Sequence, residues 1–159
     1  MLSFDQKETS LLNDQKKHEE LCIKKYSSYA NQTQDPQLKA LFNSHGHEEQ
    51  QHLNTLNQML GGQLPNMQGG QQQSQQQYQQ QSAQTNFPAI QQGGGAQADQ
   101  IMCEDLLSTE KYVSSTYNTA IFEFKDPAVR NVLNHIQKDE QEHGQQLYAY
   151  MAAHGMYNA

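Results

Sequence analysis

The chain has 159 residues, room for one ordinary domain or two very small ones. Its 10 Lys plus Arg stand against 17 Asp plus Glu, a formal charge of -7. That balance argues against nucleic acid or an anionic membrane surface as the main partner, because both select basic faces.

No apolar run approaches the roughly 18 residues of a membrane-spanning helix. The start, Met1 to Lys7, lacks the basic and apolar regions of a signal peptide, so the expectation is a soluble protein not exported by the usual route. Cys22 and Cys103 belong to no Cys-x-x-Cys pair, which leaves no rubredoxin-type iron site and suits small core residues.

Taken in chain order, the periodicity predicts a first helix over 7–32, with apolar residues at Leu12, Cys22, Tyr26 and Tyr29. Asp35-Pro36 breaks it, Asp serving as N-cap and Pro fitting the first turn of a second helix over 36–60. That helix carries Leu38, Leu41, Phe42, Leu56 and Met59 and is closed by Gly61. Residues 61–98 are mostly Gln, Gly, Ser, Ala and Asn, with Pro65 and Pro88 as breakers. Such a stretch cannot bury enough apolar surface to offset its ordering entropy, and a disordered linker is expected there. A third helix over 99–124 follows, with Cys103, Leu106, Val113, Tyr117 and Phe124. After Asp126-Pro127 comes a fourth over 127–153, with Val129, Leu133, Ile136 and Leu147, and Gly155 lies past its end.

The two halves read as copies. A shift of 91 positions pairs Asp14 with Asp105, Glu19 with Glu110, Tyr26 with Tyr117 and Asp35-Pro36 with Asp126-Pro127. It also pairs Glu49 with Glu140, His52 with His143 and Leu56 with Leu147. A helical hairpin alone leaves one apolar stripe bare, so hairpins 1–60 and 99–159 are expected to pack face to face as one all-α four-helix bundle.

Polar residues interrupt that stripe in mid-helix: Glu19, Glu49 and His52 in the first half, Glu110, Glu140 and His143 in the second. Four inward carboxylates would repel one another and each would be costly to bury, so something positive must compensate them. Glu-x-x-His places an oxygen and a nitrogen ligand on one helix face, and it occurs twice here, at Glu49/His52 and Glu140/His143. With one more Glu from each remaining helix, this is the ligand set of di-iron and di-manganese carboxylate bundles. Two iron or manganese ions are expected, although Glu and His donors suit zinc as well. The competing readings are a solvent-facing set and a metal-free network of protonated Glu and His.

Around the set, Asp139 suits a hydrogen bond to a ligating histidine, while its longer counterpart Glu48 suits it less well. Tyr26 and Tyr117 are expected as core aromatics with satisfied hydroxyls, a bond to a ligand or an electron relay being the alternative. His45 is expected in the core rather than as an extra ligand, because its repeat partner is Ile136. His18, His47, His135 and His154 lie off the stripe or at an end.

Three stretches of the second hairpin carry a family resemblance: Glu104-Asp105-Leu106-Leu107, the run Asp126 to Leu133, and the tail from Leu147 to Met151 with Gly155 to Asn158. Over about residues 101–158 the chain resembles the coat F family of spore coat proteins from endospore-forming bacteria. The first hairpin is similar more loosely, through Asp35 to Phe42. The resemblance implies a ferritin-like fold and a structural place in the spore coat, after synthesis in the mother-cell cytoplasm, among other coat proteins. It does not imply an enzyme. A wider similarity to the ferritin and rubrerythrin superfamily implies the same six ligands. It supplies the alternative, a di-metal redox enzyme of ferroxidase, peroxidase or catalase type. The sequence leaves a homo-oligomer open.

Overall fold

In a computed structural model, which describes residues 1–67 and 95–157, the chain forms four α-helices, and no strand occurs among the described residues. They are α1 (Gln6–Gln32), α2 (Pro36–Leu60), α3 (Gly95–Ile121) and α4 (Pro127–Ala153). Local chemistry sets most of their ends. Asp5 opens α1 with a reciprocal capping box: its Oδ1 accepts from the Glu8 amide at 2.9 Å, and Glu8 Oε2 accepts from the Asp5 amide at 3.0 Å. Asp35 and Asp126 cap α2 and α4 in matching ways, each accepting an amide two residues on at 2.8 Å, with proline in the first turn. Past α4, Gly155 adopts φ +68°, which lets the Met156 amide return to the Met151 carbonyl at 2.7 Å.

The third helix departs from expectation at both ends, running 95–121 instead of 99–124. The turn beyond its last residue is held from elsewhere. Arg130 Nε donates to the Phe124 carbonyl at 2.5 Å, and the Lys125 amide donates to Glu8 Oε1 at 3.0 Å. Phe124 is still buried, edge-on to Phe4, so its place in the apolar period is real although its backbone is no longer helical. At the other end Asp99 lies within the helix and accepts from the Thr33 hydroxyl at 2.8 Å, tying α3 to the end of α1. Gly95 to Ala98 thus belong to α3 and not to the 61–98 linker. Of the rest, residues 61–67 are described, with Gly61 and Gly62 in a turn and Pro65 buried, and residues 68–94 lie outside the described residues.

α1 packs along α2 and α3 along α4, and the hairpins meet through α1 against α3 and α2 against α4. Both cross-hairpin pairs are antiparallel. Glu19 meets Tyr117, Tyr26 meets Glu110 and Thr33 meets Asp99, while His45 meets Gln146 and His52 meets Asp139. In consequence α2 ends beside the start of α1, where the Leu2 amide donates to the Gly62 carbonyl at 2.7 Å, whereas α3 begins beside the end of α1.

The core is apolar above and below a polar middle. Leu12, Leu38, Phe42, Leu56, Leu106, Leu133 and Leu147 are fully buried, each contributing on the order of 1.5–3 kcal/mol. Cys22 and Cys103 are buried free thiols. No helix among the described residues is long and apolar enough to cross a membrane.

Candidate metal centre

The six residues singled out by their place on the stripe, Glu19, Glu49, His52, Glu110, Glu140 and His143, all lie inside the bundle, none exposing more than 5 % of its surface. They meet as two overlapping groups. Glu19, Glu49, His52 and Glu140 form one, Glu49, Glu110, Glu140 and His143 the other, and within each the donor atoms lie within 4.8 Å of one another. Four donors sharing an ion at about 2.0–2.2 Å lie roughly 3.5 Å apart in a tetrahedral shell, so each group would close inward on taking up an ion. Glu49 and Glu140 belong to both groups. Each group then has one carboxylate of its own, one imidazole, and two carboxylates in common with its neighbour.

The cluster has unmet acceptors. Glu19 Oε2, Glu110 Oε2 and both oxygens of Glu140 are buried without a hydrogen bond. Glu140 Oε1 does lie 2.9 Å from His52 Nδ1, a charge contact lacking hydrogen-bond alignment. Buried carboxylate oxygens left in this condition are expensive, and a cation or a proton removes the cost.

Protons do so unevenly in the metal-free cluster. Burial, reinforced by Glu49, pushes the Glu19 carboxyl from 4.5 to about 8. Burial together with the charges of Glu49, Glu110 and Glu19 pushes Glu140 well above the carboxylate range. Burial also raises Glu49, but the histidines outweigh it, His143 most strongly, and Glu49 ends well below the usual range. Burial disfavours imidazolium at His52 and His143, and the surrounding carboxylates overcome it in both. The resulting picture is an ionised Glu49 between two protonated histidines, with protons on Glu19 and Glu140.

Both imidazoles are held on the side away from the carboxylates. His52 Nε2 lies 3.0 Å from Asp139 Oδ2, and His143 Nε2 lies 2.9 Å from Glu48 Oε2. This directs both Nδ1 atoms at the cluster. The extra methylene of Glu48 does not prevent it from doing what Asp139 does.

The tyrosines are core residues whose hydroxyls end on the cluster itself. Tyr26 donates to Glu110 Oε1 at 2.5 Å, and Tyr117 donates to Glu19 Oε1. Each therefore bonds a carboxylate of the opposite hairpin. His45 is buried, with Nδ1 3.2 Å from the Tyr26 hydroxyl and Nε2 2.5 Å from Gln146 Oε1. Burial and the neighbouring His143 push its imidazole down to about 3, so its ring is neutral.

Sequence reasoning did not reach Gln146, nor Lys25, which bonds both oxygens of Asp105 across the α1–α3 seam at 3.0 and 3.1 Å. A polar residue one turn along α4 from His143 was the only available signal for the first. His135, off the stripe, comes within 3.5 Å of Asp139.

The fold and cluster define a four-helix bundle with a buried carboxylate–histidine centre. Its second hairpin, residues 98–159, matches the family model of the Coat F domain. The match begins inside α3 and includes all of α4, taking in Glu110, Glu140 and His143. No curated protein matches the chain at a significant level.

Proposed function

We propose that this chain is a structural protein of the spore coat whose ferritin-like bundle holds two iron or manganese ions between its hairpins. The Coat F match over 98–159 supports the coat role and, with it, residence in the coat among other coat proteins. The observation that carries the metal reading is the set of four buried carboxylate oxygens without donors, lying between two imidazoles already turned toward them.

Glu19 and His52 would complete one position and Glu110 and His143 the other, with Glu49 and Glu140 common to both. Bound ions of this kind supply Lewis-acid and redox chemistry toward oxygen or peroxide. The chain's own part is to hold the donors in place, through Asp139 and Glu48 on the histidines and Tyr117 and Tyr26 on the outer carboxylates. The apolar turns above and below keep water away. Loading displaces the protons of Glu19 and Glu140, so affinity rises with pH.

A second reading, a di-metal oxidoreductase of ferroxidase, peroxidase or catalase type, is favoured by the two buried tyrosines bonded to the outer carboxylates. Its electron donor would be another protein or a small molecule.

Metal analysis of the untagged protein tests the centre: two ions per chain are expected, and a metal-free protein after growth in iron and manganese overturns it. Fractionation of spores tests the role. The protein should be made late in sporulation and recovered in the coat, and synthesis confined to growing cells overturns it.

A further inference from the structure

The two sides of the cluster are built alike as far as their tyrosines and differ beyond them. On the Glu110 side the Tyr26 hydroxyl lies between Glu110 Oε1, at 2.5 Å, and His45 Nδ1, at 3.2 Å. The Tyr26 proton goes to Glu110, so His45 Nδ1 carries the ring N–H toward Tyr26. His45 Nε2, 2.5 Å from the Gln146 side-chain amide, accepts from that amide turned to present its nitrogen. The ring stacks on His143 with centroids 4.2 Å apart and planes 24° from parallel. On the Glu19 side Tyr117 bonds Glu19, and the position matching His45 in the second hairpin is Ile136, buried and without a polar side-chain atom. His45 therefore steadies two donors of one metal position, Glu110 through Tyr26 and His143 by stacking, and has no equivalent at the other.

We infer that His45 is a positioning residue that makes the two metal positions unequal, so that the Glu110/His143 position fills before the Glu19/His52 position. The inference rests on the two-metal reading above. Groups that orient a ligand typically change metal affinity 10- to 100-fold. Donors already held in place lose less freedom when the ion arrives. The hydrogen bond from tyrosine does not block either carboxylate, because Oε2 of both Glu110 and Glu19 remains without a partner. The difference between the positions therefore lies in how firmly the donors are held, not in how many there are.

Titration of the metal-free, full-length protein with Co2+ alone, followed by visible absorption and calorimetry, tests this. The wild type should bind two ions in two resolved phases, the first at least ten-fold tighter. His45→Ile, which copies the other hairpin, should weaken the first phase about 10- to 100-fold and close the gap. Tyr26→Phe should act on that same phase, and Tyr117→Phe on the second phase only. His45→Gln, which keeps a group able to bond the Tyr26 hydroxyl, should restore part of the gap. Two ions bound in one phase, a gap unchanged in His45→Ile, or Tyr26→Phe and Tyr117→Phe weakening the same phase would each overturn the inference alone. Fewer than two Co2+ per wild-type chain overturns the two-metal reading itself. Helix content is checked by circular dichroism, and should His45→Ile fail to fold, the pair of tyrosine variants decides.

Discussion

Asp139 sits next to Glu140 on α4, yet its carboxylate accepts from His52 on α2, in the other hairpin, at 3.0 Å. Glu48 returns the arrangement, next to Glu49 on α2 but bonded to His143 on α4 at 2.9 Å. Asp139→Asn and Glu48→Gln should each weaken metal binding about 10- to 100-fold, measured by competition with a chromophoric chelator. Unchanged affinity in both variants would show that these carboxylates do not orient the histidines.

Glu49 and Glu140 share the same two groups but carry different charge when metal is absent, and substitution should separate them. Glu140→Gln replaces a protonated carboxyl with a group of the same shape, so metal-free stability should change little. Glu49→Gln strips two buried imidazoliums of the ionised partner they share at Nδ1, which by analogy with broken buried ion pairs costs about 3–5 kcal/mol. Both variants should lose metal. Denaturant unfolding in the presence of a chelator checks the contrast, and equal losses of stability would contradict the assigned charges.

The same charges give the metal-free bundle a definite pH response. Glu19 has a folded value near 8 against 4.5, and Glu140, His52 and His143 are also raised. A group with a raised folded value stabilises fully below its unfolded value and loses that contribution as pH climbs to the folded one. Glu19 therefore withdraws stability between about pH 4.5 and 8, and the histidines withdraw theirs from their ordinary 6.5 upward. Glu49, lowered, acts oppositely and withdraws support only as pH falls below 4.5. The melting temperature in chelator should drop from pH 6 to pH 9, and Mn2+ should reverse the slope. A metal-free melting temperature that rises over this interval would contradict the protonation pattern.

Arg130 braces the turn after α3, donating to the Phe124 carbonyl at 2.5 Å and the Phe122 carbonyl at 3.4 Å. Arg130→Ala should cost about 1–3 kcal/mol by leaving the part-buried Phe124 carbonyl unmet. Because the turn lies far along α3 from Glu110, metal stoichiometry should stay the same. A loss of metal in this variant would indicate that the turn and the cluster are coupled.

How far the sequence could be read depended on how local the causes were. Asp5, Asp35 and Asp126 cap their helices through amides two or three residues away, and the expected α1, α2 and α4 agree with the structure to within a residue. The turn that follows α3 is held by Arg130, six residues beyond Phe124, and by Glu8 at the far end of the chain. Neither leaves a mark on the apolar period that carried the expectation through to 124. The six polar stripe residues were legible because each occupies a position where a leucine would ordinarily stand. The pairing of Tyr26 with Glu110, and of Asp139 with His52, was not, since it depends on which helices become neighbours and in which direction they run.

That exchange of partners makes each hairpin chemically incomplete. Glu49 and His52 come from one half and Asp139 and Glu140 from the other, and each imidazole takes the carboxylate at its Nε2 from the opposite half. The two halves behave less like a duplicated module than like subunits that happen to share a backbone. Produced as separate polypeptides, they would need each other to satisfy their buried groups, and an ion bound between them would act as the adhesive of that association. Metal supply would then govern assembly as well as chemistry.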